Sequence, residues 1–312
     1  MFIAVIAVTS LILLIGPFLL GSFLIRRFHT TWMLFIFGAF AFLAAQIMHS
    51  FLYNFVQGTD VFLQYFKDSP VNVLLLYGFL LALIQTVIRY AAIWFGTRYL
   101  GGQTRPWTGA LTLAAGFGGA DAVLTFAFSA LYLLLGVITF PAAGSPLPEG
   151  VTPEQFATMQ SQLNDLLNLS PIKIFLYSQF IPAVSLFLIE VTSLLITWVG
   201  AIQKKWLWVA ASLVWQTAMI GLVSLSINWM NFYMTNDKLY GENLLTGGLL
   251  VLFVLALNLG VVYGIYKFVL PLIPADAMRP PTIAPSKPSS QVSAANQSSS
   301  RPAKRLKNTD LK

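Results

Sequence analysis

The 312-residue sequence has no cysteine and only two histidines, His29 and His49. The missing cysteines exclude disulfides and thiolate metal centres. Two imidazoles leave little room for a multi-histidine zinc site. Charge is scarce as well. Asp, Glu, Lys and Arg make up 9% of the chain, against about 25% in a soluble domain. A phosphate-binding loop of the Walker type, a zincin helix and a nucleophile elbow are all missing. What fills the chain instead is apolar: 57% of residues are hydrophobic and the mean hydropathy is +0.76. The composition defines a polytopic membrane protein.

An apolar run of about 20 residues crosses a bilayer as a helix. The sequence predicts seven, over 2–25, 33–56, 71–97, 108–140, 172–202, 206–232 and 245–273, hence an all-α transmembrane bundle. The fourth and fifth exceed the length needed and are expected to tilt or break, with Gly116, Gly118 and Gly119 marking a break or a close-packing point. No Lys or Arg precedes the first span. A cleaved signal peptide needs a positive leading region, so this span is expected to remain as an anchor.

The loops set orientation. Arg26 and Arg27 follow span one, Arg98 and Arg105 follow span three, and Lys204 and Lys205 separate spans five and six. The alternate loops hold Asp60, Asp68, Glu149, Glu154, Asp165, Asp237 and Glu242, with single lysines at 67, 173 and 238. The positive-inside rule then places the N-terminus outside and the C-terminus inside.

Residues 1–274 form the expected transmembrane domain. Its longest outer loop, 141–171, contains an expected amphipathic helix over 152–169. There Thr152-Pro153-Glu154-Gln155 reads as a capping box with proline at the first helical position. Phe156, Met159, Leu163, Leu166 and Leu167 share one face. This helix is expected to rest on the outer surface or, alternatively, to act as a lid. Residues 275–312 carry seven basic and two acidic side chains and few large apolar ones. They are expected to be a disordered basic cytoplasmic tail attracted to anionic lipid, with no nucleic-acid partner.

Within the spans lie groups that are costly at bilayer depth and therefore point to function. Gln85 and Arg89 are four apart on span three and share a face. Asp121 follows the glycines of span four, Glu190 lies in span five and Gln216 in span six, while His49 sits in the outer part of span two. The functional reading is a polar cluster facing a buried cavity. The structural reading is an arginine paired with Asp121 or Glu190, and for His49 a packing role. Two carboxylates suit acid/base work, but no diagnostic spacing accompanies them. Oxygen donors for a hard cation are too few.

The segments Gln85-Thr86-Val87-Ile88-Arg89-Tyr90 and Gly116-Phe117-Gly118-Gly119-Ala120-Asp121-Ala122 resemble the motifs of the YhfC family of intramembrane metalloproteases, related to the PrsW and CAAX-type proteases. The family pattern is Glu-Glu-x-x-Arg-Tyr on one helix and Gly-His-Gly-Gly-x-Glu-Ala on the next, with further histidines later. The likeness runs through most of residues 1–270 in element order and loop length. It implies the family's fold and, for an active member, zinc. Arg89, Tyr90 and the glycines are kept, with Asp121 in the glutamate place. Gln85 and Thr86 replace the paired glutamates, Phe117 replaces the histidine, and the later histidines fall near Glu190 and near Trp215 or Gln216.

A metalloprotease needs ligands to hold its metal and a base to activate water. Phenylalanine offers neither and glutamine is no base. The expectation is therefore a YhfC-like pseudoprotease of a bacterial or archaeal plasma membrane with no catalytic residue intact and no metal. It would bind transmembrane segments or lipid as a scaffold. Two alternatives stay open: an active intramembrane protease with a divergent site, and a small transporter or channel.

Overall fold

The computed structural model describes residues 2–60, 62, 66, 69–140, 152–167, 180–234 and 242–278. Among these residues there is no strand. The helices are α1 (Phe2–Phe28), α2 (Trp32–Gln57), α3 (Pro70–Tyr99), α4 (Trp107–Asp121), α5 (Phe128–Thr139), α6 (Pro153–Leu167), α7 (Phe180–Gln203), α8 (Trp206–Met234), α9 (Glu242–Gly264) and the single turn α10 (Ala275–Met278). Seven helices are long and apolar enough to cross a membrane, α4 and α5 forming one continuous span from Trp107 to Thr139. The architecture is a polytopic all-α membrane bundle.

Local chemistry sets the helix starts. Ser69 caps α3, its hydroxyl accepting from Asn72 N at 3.4 Å, with Pro70 in the first turn where its missing N–H costs nothing. The capping box of α6 forms in full: Thr152 N donates to Gln155 Oε1 at 3.1 Å and Gln155 N donates to Thr152 Oγ1 at 3.2 Å. Phe156 of α6 stacks on Phe140 at 5.5 Å, and Met159 is exposed. Residues 168 and 169, the end of the expected helix, lie outside the described residues.

The fourth span does depart from regular geometry, but not at its glycines. Gly116, Gly118 and Gly119 lie in regular α4, and a π-helical segment runs from Ala122 to Ala127 directly after Asp121. Such π turns recur at functional positions. A second one, Ile265–Val269, follows α9. Residues 172–179, expected to open the fifth span, lie outside the described residues. Of the expected tail, Ala275–Met278 form a helical turn, with Ala277 and Met278 packed on the core. The remainder from 279 is not described.

The glycines act by close approach. A Cβ on Gly116 would run into the carbonyl of Phe35 on α2, and one on Gly118 would stand 3.1 Å from Phe187 O and 3.2 Å from Glu190 Cβ on α7. Small residues at such contacts let helices pack by van der Waals fit, the main attraction available inside lipid. Gly119 receives Pro17 of α1 in the same way.

Helix α7 is the hub, packed against α3, α4, α8 and α9. Every residue from Ile189 to Gly200 is buried, as expected of a helix apolar all round. Two of its hydroxyls, Thr192 Oγ1 and Ser193 Oγ, have no hydrogen-bond partner, while Thr197 Oγ1 donates to Ser212 Oγ at 2.9 Å, which donates to Ser193 O at 2.7 Å. Trp198 Nε1 donates to Thr104 O at 2.9 Å, tying the loop between α3 and α4 to the hub. The large side chains left exposed, among them Phe18, Phe40, Phe51, Phe55 and Tyr132, face the surroundings that lipid fills.

Candidate intramembrane site

Four of the polar residues singled out from the sequence meet in the core. Gln85 and Arg89 come from α3, Glu190 from the hub α7 and Gln216 from α8, and all four are almost fully buried. Arg89 forms a salt bridge with Glu190 Oε2 through Nη2, the one ion pair among the described residues. The same nitrogen donates to Gln85 Oε1 at 3.1 Å, and Nη1 donates to Gln216 Oε1 at 2.5 Å. Gln216 Nε2 in turn donates to Gln85 Oε1 and, at 3.3 Å, to Glu190 Oε1. A buried charge persists when it is both paired and hydrogen-bonded, and this closed network meets both conditions.

The lid on the network is Phe117. Arg89 Cζ lies 4.7 Å from the centre of its ring, within cation–π range. Arg89 Nε has no partner. Gly118, next in sequence, sets the distance at which Glu190 approaches. Motif glycine, ring and ion pair thus form one packing unit.

Asp121 stands apart from the guanidinium. Its Oδ1 accepts from Thr125 Oγ1 at 2.8 Å, one turn further within the π segment. The choice left open by the sequence is settled by the side chains: Arg89 pairs with Glu190 rather than with Asp121. His49 joins neither. It is buried between Tyr53, stacked at 5.8 Å, and Tyr77, edge-on at 4.7 Å, and its Nε2 has no hydrogen-bond partner.

A cavity of about 350 Å³ opens beside the network. Gln85, Asp121 and Glu190 line it together with Gln46, Tyr77 and Thr125. Thr125 and Ser129 stand exposed at its rim, so the cavity reaches the lipid-facing side of the π segment. None of the described residues lining it belongs to α6. Sequence reading missed Tyr77, Thr125 and Ser129 as cavity residues. The signal for Tyr77 was present, since 77, 81 and 85 follow the spacing that aligns one helix face. The same spacing runs through Asp121, Thr125 and Ser129, at 121, 125 and 129.

The bundle, its motif glycines and its arginine now carry an assignment. The family model of the YhfC intramembrane metalloprotease matches residues 11–236, and the chain belongs to that family. No curated protein and no solved structure matches it.

The family name implies a metal, and the residues here do not fit one. Among the described residues no group of three His, Cys, Asp or Glu side chains is placed to hold an ion. At the network the donors are one carboxylate and two carboxamides, and a guanidinium already occupies the space between them. Phe117, in the place of the family histidine, presents a ring face to that cation.

Proposed function

We propose that this protein is a non-catalytic member of its family, one that keeps the intramembrane cleft and uses it to hold a transmembrane segment or a lipid. The observation that carries this reading is the Arg89–Glu190 ion pair closed by Gln85 and Gln216. It fills the place of a ligand set with a neutralised network that offers no base and no free metal donor. Beside it the cavity remains, with polar groups along one wall and an opening toward lipid. The protein then works as a multi-pass scaffold with its basic loops on the cytoplasmic side of a prokaryotic plasma membrane. The test is elemental analysis of the detergent-purified protein beside the Asp121→Asn/Glu190→Gln variant, with a cleavage assay on transmembrane substrates. Absence of stoichiometric metal and of cleavage is expected. Stoichiometric metal lost in the variant, or metal-dependent cleavage, would overturn the reading.

A second reading is favoured by Asp121, which shares the cavity with Glu190 yet has no salt bridge. Two carboxylates on one cavity suit metal-free acid/base hydrolysis. It requires that Asp121→Asn abolish a metal-independent cleavage that the wild type shows.

A further inference from the structure

The end of the bundle that carries the basic loops holds a second, larger cavity, of about 560 Å³. Its walls include Tyr90, Trp94 and Thr97 of α3, Arg105 of the following loop, and Lys204 and Trp206 at the junction of α7 and α8. The volume falls within the ordinary range for small-molecule sites. Among the described residues neither Arg105 nor Lys204 is in a salt bridge, and none of the described residues lining the cavity is acidic. Two cations facing one concave space favour an anion there.

Both cations are held in place by their backbones. The loop of Arg105 is pinned by fully buried Thr104, whose Oγ1 donates to Ile93 O at 3.0 Å and meets Thr97 Oγ1 at 3.0 Å, while its carbonyl accepts from Trp198. Lys204 sits in the left-handed region at φ 55°. It occupies the turn that ends α7, where Lys205 N donates back to Gly200 O at 3.0 Å. This is the helix-ending motif in which glycine is the ordinary residue, since only glycine takes that conformation without strain. A lysine held there has its Cα–Cβ direction set by the turn, and its flexible stem brings the ammonium to the cavity.

The surroundings identify the ligand. Tyr90 and Trp206 stack at 5.2 Å, and Trp206 and Leu207 are largely exposed. Exposed tryptophans and tyrosines at a bundle end mark the headgroup level. Arg26 and Arg27 in the last turn of α1, Arg98 in the last turn of α3 and Lys205 between α7 and α8 belong to the connections that the positive-inside rule assigns to the cytoplasmic face. Basic pockets between helices on that face take anionic lipid headgroups. We infer that the cavity between α3, α7 and α8 binds the headgroup phosphate of an anionic phospholipid of the inner leaflet, with Arg105 and Lys204 on the phosphate and Tyr90, Trp94 and Trp206 along the glycerol and upper acyl chain.

The experiment is thermal unfolding of the full-length detergent-purified protein, titrated with phosphatidylglycerol, phosphatidylcholine or inorganic phosphate. Native mass spectrometry would count the lipids retained. The variants are Arg105→Gln, Lys204→Gly and their combination. Lys204→Gly suits the backbone of the turn, so a loss of lipid binding does not reduce to a folding defect. Phosphatidylglycerol alone is expected to stabilise the wild type and to leave one retained lipid. Each substitution should weaken the apparent affinity about fivefold, and the pair should remove the retained lipid. Lys205→Gln, a cation of the same loop that does not line the cavity, should keep the wild-type response. An unchanged response in the double variant would overturn the proposal, as would an equal loss in Lys205→Gln. Equal stabilisation by inorganic phosphate would assign the site to a soluble anion instead, and equal stabilisation by phosphatidylcholine would show that the headgroup charge is not read.

Discussion

Arg89 and Glu190 pair across the core of the bundle, one from α3 and one from the hub α7, with both side chains essentially out of contact with solvent. The arginine lies in the segment that resembles a family motif, and the glutamate lies near where that resemblance sets a later histidine. Glu190 thereby supplies the counter-ion of Arg89. Breaking a buried pair by removing one partner costs about 3–5 kcal/mol, because the other charge is stranded. Glu190→Gln should therefore destabilise by about that amount. Arg89→Met/Glu190→Leu should recover most of it, since Gln85 and Gln216 still hydrogen-bond to each other. Thermal unfolding in detergent, followed by circular dichroism, separates the two outcomes.

The glycines of α4 predict a graded response. Gly116 faces a backbone carbonyl of α2, which has no way to swing aside, whereas Gly118 faces the Phe187 ring, its carbonyl and Glu190 Cβ at 3.0–3.2 Å. Overpacking costs about 1–3 kcal/mol. Gly116→Ala should fall at or above the top of that range and Gly118→Ala near the bottom. Unfolding midpoints of the two variants, taken side by side, give the order directly.

This order explains how much was legible beforehand. Apolar run length gave the seven spans, because bilayer thickness fixes it. The capping box of α6 was readable because its chemistry is local, Thr152 and Gln155 being three residues apart. The pairing of Arg89 was not readable. Glu190 lies 101 residues away, and the choice over Asp121 depends on how closely Gly118 lets α7 approach. The sequence offers the glycines of span four as a break or a close-packing point, and they are the latter; the departure from regular geometry lies elsewhere. It follows Asp121 instead, since glycines packed against neighbouring backbone are held helical by those neighbours.

Restoring the family residues tests whether the fold still has room for a metal. Phe117→His alone should not bind zinc, because Arg89 would then face an imidazole with Glu190 still paired. Adding Gln85→Glu, Thr86→Glu, Glu190→His and Gln216→His frees the donors that the family pattern contains. That variant is expected to retain zinc after chelation at a level the wild type and the single variant do not reach. Elemental analysis of the three proteins measures it.

Asp121 predicts the opposite of Glu190. It lines a cavity, accepts one hydrogen bond from Thr125 and forms no salt bridge. A polar group that has lost its hydration without a direct ion pair costs stability at bilayer depth. Asp121→Asn keeps an acceptor for Thr125 and should change stability by less than about 1 kcal/mol. Asp121→Leu removes the polar group from the cavity wall and should raise the unfolding temperature. A fold that becomes more stable without a residue does not keep it for stability. In that outcome the carboxylate of Asp121 serves the occupant of the cavity, and the two acidic residues of the site divide cleanly, Glu190 for the bundle and Asp121 for what the bundle holds. A destabilisation of Asp121→Leu as large as that of Glu190→Gln would instead make both carboxylates part of one structural network.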